Sequence, residues 1–304
     1  MKNRVSYYAI IVLLIPCMIS CQQKKEAVQK QIDIQGHRGA RGLMPENTIP
    51  AFLEALKLGV TTLELDLAVT KDMELLVSHE PYMHSDFCLD SLGNEIAKED
   101  ELSHNIHQMT YDQIKKFDCG SKPHPRFPDQ QKFKVKKPLL KNLVDAVNEF
   151  QKSSDAPPVR YNIEIKSAPE GDSIYHPVPK EFSDLVYSFI NENMDPKLVN
   201  VQSFDFRVLQ YFNQNYPEIE LAVLIENKNS IEENLESLGF IPQIYSCDYT
   251  LLDGESVKQL QEKGMKVIPW TINESSDMKK LIGWGVDGII TDYPDRAMTL
   301  VSSK

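Results

Sequence analysis

The chain has 304 residues, enough for one large domain or two small ones. Hydrophobic residues make up 41%, charged residues 25% and aromatics 9%, and the 13 glycines and 18 prolines follow no period; this excludes disordered, fibrous and low-complexity proteins. A net charge of −11 repels a phosphate backbone, so no nucleic-acid partner is expected, and an anionic substrate must be held by local positive charge or a metal.

The first twenty residues stand apart. Lys2 and Arg4 precede an apolar run from Tyr7 to Met18, too short for a final membrane anchor but suited to a secretory signal. The run ends Met18-Ile19-Ser20-Cys21, which resembles a bacterial lipoprotein signal with Cys21 as the lipidated N-terminus; the alternative is an ordinary signal peptide that contains a cysteine. The expectation is an exported protein, periplasmic or at the cell surface, that meets the membrane only through this anchor. Removal of residues 1–20 takes the net charge from −11 to −13. Residues 21–30 read as a polar tether.

From about residue 31 one grammar repeats: a short aliphatic run, then a segment of helical period. Eight runs read as strands: Ile32–Gly36, Thr61–Leu65, Tyr161–Ile165, Leu198–Gln202, Ile219–Leu224, Gln243–Ser246, Lys266–Trp270 and Gly288–Thr291. Amphipathic stretches such as Thr48–Lys57, Lys180–Glu192, Phe206–Asn213 and Glu255–Glu262 alternate with them. Eight strands alternating with helices predict a (β/α)8 TIM barrel over residues 31–304, with an open doubly wound sheet as the alternative. Two segments break the pattern. Leu67–Thr70 and Met73–Ser78 are joined too tightly for a crossover helix and predict a hairpin. Residues from about 80 to 138 then carry many polar residues and no clear barrel strand, and predict an insertion that walls the pocket. Cys88 and Cys119 both fall there, where apolar core is scarce; in an oxidising compartment they are expected to pair, the alternative being two free thiols.

The chemistry sits at the strand ends. Residues i and i+2 of a strand point to one side, so Glu64 and Asp66 share a face, as do Glu164 and Lys166. Inward carboxylates in a barrel need positive compensation. Three of them with one lysine suit a hard divalent cation, Ca2+ or Mg2+, and no cysteine pair has zinc spacing. Taken singly, each motif also has a plainer reading: a solvated strand face, a surface ion pair, a satisfied core histidine. Of the seven histidines, His84, His104, His107, His124 and His176 read as surface or pocket-rim residues, and Cys247 as a small buried apolar side chain.

Together, His37-Arg38-Gly39, Pro45-Glu46-Asn47-Thr48, Glu64-Leu65-Asp66, Ser78-His79-Glu80, Asn162-Ile163-Glu164-Ile165-Lys166, Gln202-Ser203-Phe204, Trp270-Thr271-Ile272-Asn273 and Asp287-Gly288-Ile289-Ile290-Thr291-Asp292-Tyr293-Pro294 are in order. This constellation resembles the glycerophosphodiester phosphodiesterase family from about Gln31 to Leu300. The resemblance implies a TIM barrel with an insertion after the second histidine. It implies metal-dependent hydrolysis of a small phosphodiester to an alcohol and glycerol 3-phosphate. It makes Glu64, Asp66 and Glu164 the metal ligands and His37 and His79 the acid–base pair, with His37 accepting and His79 donating. Arg38, Lys166 and Trp270 then bind the substrate. Attack by water and attack by the substrate's own glycerol hydroxyl both remain open, as do a head-group-cleaving or cyclic-phosphate-releasing relative and a catalytically dead binding protein. Two departures stand out: His79 is followed by Glu80 where relatives commonly have aspartate, and Pro81–Ser85 lacks an arginine that many carry. Glu46 and Asn47 read as structural, with Asn47 placed to cap the following helix; a contact of Glu46 near the metal is the alternative.

Overall fold

The computed structural model describes residue 3, residues 32–154 and residues 157–302. Apart from Asn3, the expected signal segment, Cys21 and the tether lie outside these residues. Residues from Ile32 onward form one compact unit.

Chain order alternates strand and helix. β1 (Asp33–Gly36), α1 (Ile49–Leu58), β2 (Thr62–Val69) and the short β3 (Leu75–Val77) come first. A segment of short helical turns with α2 (Tyr111–Ile114) leads to α3 (Leu140–Ser154). Then follow β4 (Arg160–Ile165), α4 (Pro179–Asn193), β5 (Val199–Ser203), α5 (Phe206–Asn215), β6 (Glu220–Ile225), α6 (Ile231–Leu238) and β7 (Ile244–Cys247). Next are α7 (Gly254–Glu262), β8 (Lys266–Val267), α8 (Ser275–Trp284), β9 (Gly288–Thr291) and α9 (Pro294–Ser302).

Eight strands pair in parallel in the order β8-β7-β6-β5-β4-β2-β1-β9, and β3 pairs antiparallel to β2 with Leu67 opposite Val77. The ends of this order meet: Asp287 N donates to Val267 O (2.9 Å) and Ile290 N to Pro269 O (3.0 Å), so the sheet closes into a TIM barrel. The seventh strand was expected to run to Trp270, but its ladder stops at Val267. Pro269 has no amide hydrogen to give, although Ile268 and Trp270 still donate to β7.

β2 shows why the site lies where it does. All eight of its residues are buried. Leu63, Leu65 and Leu67 pack outward into the main apolar core with Phe52, Val144 and Phe182, which leaves Glu64 and Asp66 pointing into the barrel. Register then sets Glu64 beside Asn162 and Asp66 beside Glu164. The barrel interior is split. Beneath Glu64, Asn162 Nδ2 donates to Gln35 Oε1 (2.8 Å) and Gln202 Oε1 (3.0 Å), and Asn200 Nδ2 to Asn162 Oδ1 (2.6 Å), so buried amides satisfy one another. The other half is apolar: Ala222, Ile244, Ile268 and Ile290.

Residues 78–139 form the interruption after the hairpin, with their own small core of Met83, Phe87, Ile106, Ile114 and Phe117. Cys88 and Cys119 are joined in a disulfide with Cα atoms 4.0 Å apart. Three sequence expectations need correction. Thr48, not Asn47, caps α1, its Oγ1 accepting from Ala51 N; Asn47 adopts a left-handed φ of 54° and turns to the site instead. His124 is buried, stacked 5.3 Å from Phe87, and His176 is buried with Nε2 accepting from Ala168 N, so neither is a surface or rim residue. Cys247 is a buried free thiol, as expected.

Candidate active site

The turn after β1 carries the first histidine. His37 N donates to Thr291 O across the barrel seam (2.9 Å), and Arg38 takes a left-handed φ of 51°. Gly39 makes the turn possible: its φ is +86°, and a Cβ there would meet the Ala51 carbonyl carbon at 2.6 Å. The turn brings Arg38 N to 2.8 Å from Glu64 Oε2.

Glu64, Asp66 and Glu164 each offer an oxygen within 4.8 Å of the others, and all three are buried. Other donors hold them from behind. Gln202 Nε2 donates to Glu64 Oε1 (2.9 Å), Asn47 Nδ2 to Asp66 Oδ2 (2.8 Å) and Lys166 Nζ to Glu164 Oε1 (2.8 Å). Asp66 Oδ1 is buried with no hydrogen-bond partner among the described residues. Burial, then Asp66 and Glu164, push the Glu64 carboxyl well above its usual range, and burial raises Glu164 too, while Arg38 holds Asp66 far below its own. Three converging carboxylates with one orphaned buried oxygen fit a hard cation with oxygen ligands.

The two histidines open onto one cavity of about 200 Å³ with Glu64 and Glu164. His37 Nδ1 donates to Asp292 Oδ1 (2.7 Å), and Arg41 binds the same carboxylate through Nε (2.7 Å) and Nη2 (3.1 Å). Burial first, then Arg41, lowers His37 to about 4, so its ring is neutral near pH 7 and Nε2 is free to accept a proton. His79 follows β3, is more exposed, and places Nδ1 2.7 Å from Glu80 Oε1 and Nε2 3.1 Å from Lys166 Nζ. Arg38 is buried with Nη1 on Glu46 Oε1 (2.8 Å) and Nε 3.3 Å from Asp66 Oδ2. Glu46 thus meets the arginines rather than the carboxylate cluster, and these guanidinium groups bring it down to about 2 despite burial. Trp270 lines the cavity, its indole N–H donating to Ser246 O (3.0 Å) and its ring edge-on to Phe204; the Trp270–Thr271 peptide bond is cis.

All eight residues singled out from the sequence therefore lie in one constellation: six line the cavity, Asp66 completes the carboxylate cluster, and Lys166 joins Glu164 to His79. Four supporting residues were not assigned a role in advance. Asp292 and Gln202 had a visible signal, a polar residue at a barrel strand end; Arg41 and Arg126, which also line the cavity, had none, because their positions depend on the turn after β1 and on the insertion.

Comparison with known proteins gives the same direction. The model of the glycerophosphoryl diester phosphodiesterase family matches residues 37–296. A glycerophosphodiester phosphodiesterase of Bacillus altitudinis is 30% identical over 273 residues, covering 88% of this chain and 97% of its own. A Silicibacter pomeroyi DSS-3 protein, provisionally named a glycerophosphoryl diester phosphodiesterase, superposes with a TM-score of 0.80 at 26% identity, covering 90% of this chain and 94% of its own. An Oleispira antarctica phosphodiesterase, solved with its product sn-glycerol-3-phosphate, shares the fold at a TM-score of 0.70 and 20% identity, covering 89% of this chain and 96% of its own. The chain belongs to the glycerophosphoryl diester phosphodiesterase family and is an enzyme that hydrolyses phosphodiesters.

Proposed function

We propose that this enzyme hydrolyses glycerophosphodiesters to an alcohol and glycerol 3-phosphate, with one divalent cation, Ca2+ or Mg2+, held by Glu64, Asp66 and Glu164. The observation that carries this reading is the pair of differently supported histidines opening on the cavity that Glu64 and Glu164 line. The product bound by the Oleispira antarctica relative supports the same product class.

A bound cation would offset the phosphate's charge and its growth on the attacking and leaving oxygens. Arg38, fixed by Glu46 and Asp66, and Lys166 add positive charge on the same side. His37 is the base. Asp292 holds its Nδ1–H, so Nε2 takes the proton of the nucleophile as the new P–O bond forms. His79 is the acid. With Glu80 behind its Nδ1, the ring can carry positive charge, and Nε2–H is given to the alkyl oxygen as its bond to phosphorus breaks. The nucleophile is water or the substrate's own glycerol hydroxyl; the second route passes through a cyclic phosphate that water then opens.

The same proposal places the enzyme outside the cytoplasm, held at a membrane by lipid on Cys21. Multiple acyl chains make such an anchor stable. Cys21→Ala should move the protein from the membrane fraction to the soluble one; a variant that still sediments with membranes would refute the anchor.

The test of function is a panel of glycerophosphocholine, glycerophosphoethanolamine, glycerophosphoinositol and intact phospholipid, with and without chelator. Glycerol 3-phosphate should appear from the first three and only without chelator. Turnover of intact phospholipid alone, or release of a cyclic phosphate as the final product, would overturn this reading.

A further inference from the structure

The insertion contributes one charged group to the cavity that the mechanism above does not use. Three arginines line that cavity: Arg38, Arg41 and Arg126. Two of them are committed to carboxylates. Arg38 meets Glu46 and Asp66, and Arg41 meets Asp292 and Glu46. The neighbouring ammonium of Lys166 is bound to Glu164 (2.8 Å). Arg126 differs. Its guanidinium has no carboxylate partner and no hydrogen-bond acceptor among the described residues, and its Cζ rests 5.5 Å from the centre of the Phe127 ring.

The loop that carries Arg126 is fixed to the barrel. Gln130 Nε2 donates to Arg41 O (2.7 Å), and Gln131 N donates to Leu43 O (2.9 Å). Phe127 is buried, packs edge-on against His124 (4.8 Å) and Tyr293 (6.3 Å), and lies 4.9 Å from Arg41 Cζ. Pro123, Pro125 and Pro128 restrict the backbone on either side. Arg41 and His37 share the Asp292 carboxylate, so the loop stands on the base's side of the cavity. The backbone under Arg126 is therefore set in advance, and the exposed part is its side chain.

We propose that Arg126 is a substrate-binding residue: its guanidinium takes the non-bridging oxygens of the phosphodiester, and those of the glycerol 3-phosphate that remains after hydrolysis.

A planar guanidinium matches two phosphate oxygens at once, and a net charge of −11 makes an uncommitted local cation the more valuable to an incoming anion. The cavity is small, about 200 Å³, so a side chain that lines it lies close to whatever fills the space between His37 and His79. The non-bridging oxygens are present before, during and after the exchange of P–O bonds. A contact to them adds affinity throughout and changes the barrier little.

The inference rests on the proposed hydrolysis of glycerophosphodiesters. Its test uses Arg126→Met, which keeps the bulk and drops the charge, with Arg126→Gln in its place if the first variant does not fold. KM should rise about tenfold for glycerophosphocholine and glycerophosphoinositol alike, with kcat within about twofold, because an interaction held equally in ground and transition states is lost. Calorimetry with the Mg2+-loaded enzyme should show glycerol 3-phosphate bound about tenfold more weakly. Arg126→Lys should recover part of both losses, since an ammonium restores the charge without the fork. The gap between wild type and Arg126→Met should narrow at raised salt, which screens an exposed charge. KM values and glycerol 3-phosphate affinity equal to those of wild type would overturn the inference. So would a shift confined to one of the two substrates, which would put Arg126 on the alcohol instead. The wild type separates the two levels: if it neither turns over these substrates nor binds glycerol 3-phosphate, the proposed function fails, whereas if it does both and Arg126→Met matches it, only the role of Arg126 fails.

Discussion

Asp292→Asn is the most informative single substitution at the base. The Asp292 carboxylate accepts from four donors: His37 Nδ1 and Arg41 Nε on Oδ1, Arg41 Nη2 and Asn273 Nδ2 on Oδ2. An amide keeps one acceptor oxygen and sets two N–H groups against the remaining donors. If the amide nitrogen takes the Oδ1 position, His37 must turn to the Nε2–H tautomer, which cannot accept a proton. Removal of a positioned base costs on the order of 10²–10⁴ in rate, about 2.7–5.5 kcal/mol of transition-state stabilisation. The same change leaves the buried Arg41 without its main counter-charge. A broken buried pair costs about 3–5 kcal/mol, and the remaining Glu46 Oε2 at 3.5 Å from Arg41 keeps the loss near 3. Steady-state kinetics and urea denaturation measure the two effects separately: kcat should fall at least a hundredfold, and KM should change little. A variant with kcat within threefold of wild type would refute the assignment of His37 as a base oriented by Asp292.

Cation binding should depend on pH with a definite sign. Glu64 and Glu164 have raised folded-state values, so the cation-free fold gains stability as pH falls through those values and is penalised above them. A cation replaces the protons, so its thermal stabilisation should be larger at pH 8 than at pH 5, with a Tm gain of roughly 5–10 °C at a hundred times its Kd; a larger gain at pH 5 would contradict the carboxylate site. Replacing Cys88 and Cys119 by alanine should cost about 3–4 kcal/mol for a loop of 31 residues. Differential scanning calorimetry should show that loss, and an unchanged Tm would mean that the interruption is not part of the cooperative fold.

Much of this fold was legible because short aliphatic runs alternate with segments of helical period, and several of the runs carry polar residues at or just past their ends, as at His37, Glu64-Asp66, Glu164-Lys166, Gln202-Ser203 and Thr291-Asp292. Glu64-Leu65-Asp66 is the clearest case: strand alternation alone places both carboxylates on one face, and register then brings in Glu164. The hairpin was legible from the short Lys71-Asp72 link, and the disulfide from two cysteines in one interruption of a chain expected to be exported; the scarcity of apolar core expected there is corrected by the small core that surrounds both cysteines. What stayed hidden depended on tertiary placement. Nothing local marks Arg41 as the partner of Asp292, because 251 residues separate them. His124 and His176 sit in polar stretches and become buried only when the interruption and the loop after β4 fold over them. Asn47 reads as a helix cap by composition, but its left-handed backbone passes that role to Thr48 and frees its amide for Asp66.

We propose that hydrolysis depends on a cation held by Glu64, Asp66 and Glu164, and phosphorus NMR of glycerophosphocholine with chelator-treated enzyme, before and after Ca2+ or Mg2+ is restored, tests this directly. No glycerol 3-phosphate should form before addition, full release should follow it, and Asp66→Asn should not be rescued. Full turnover in excess chelator, or a fully active Asp66→Asn, would contradict it.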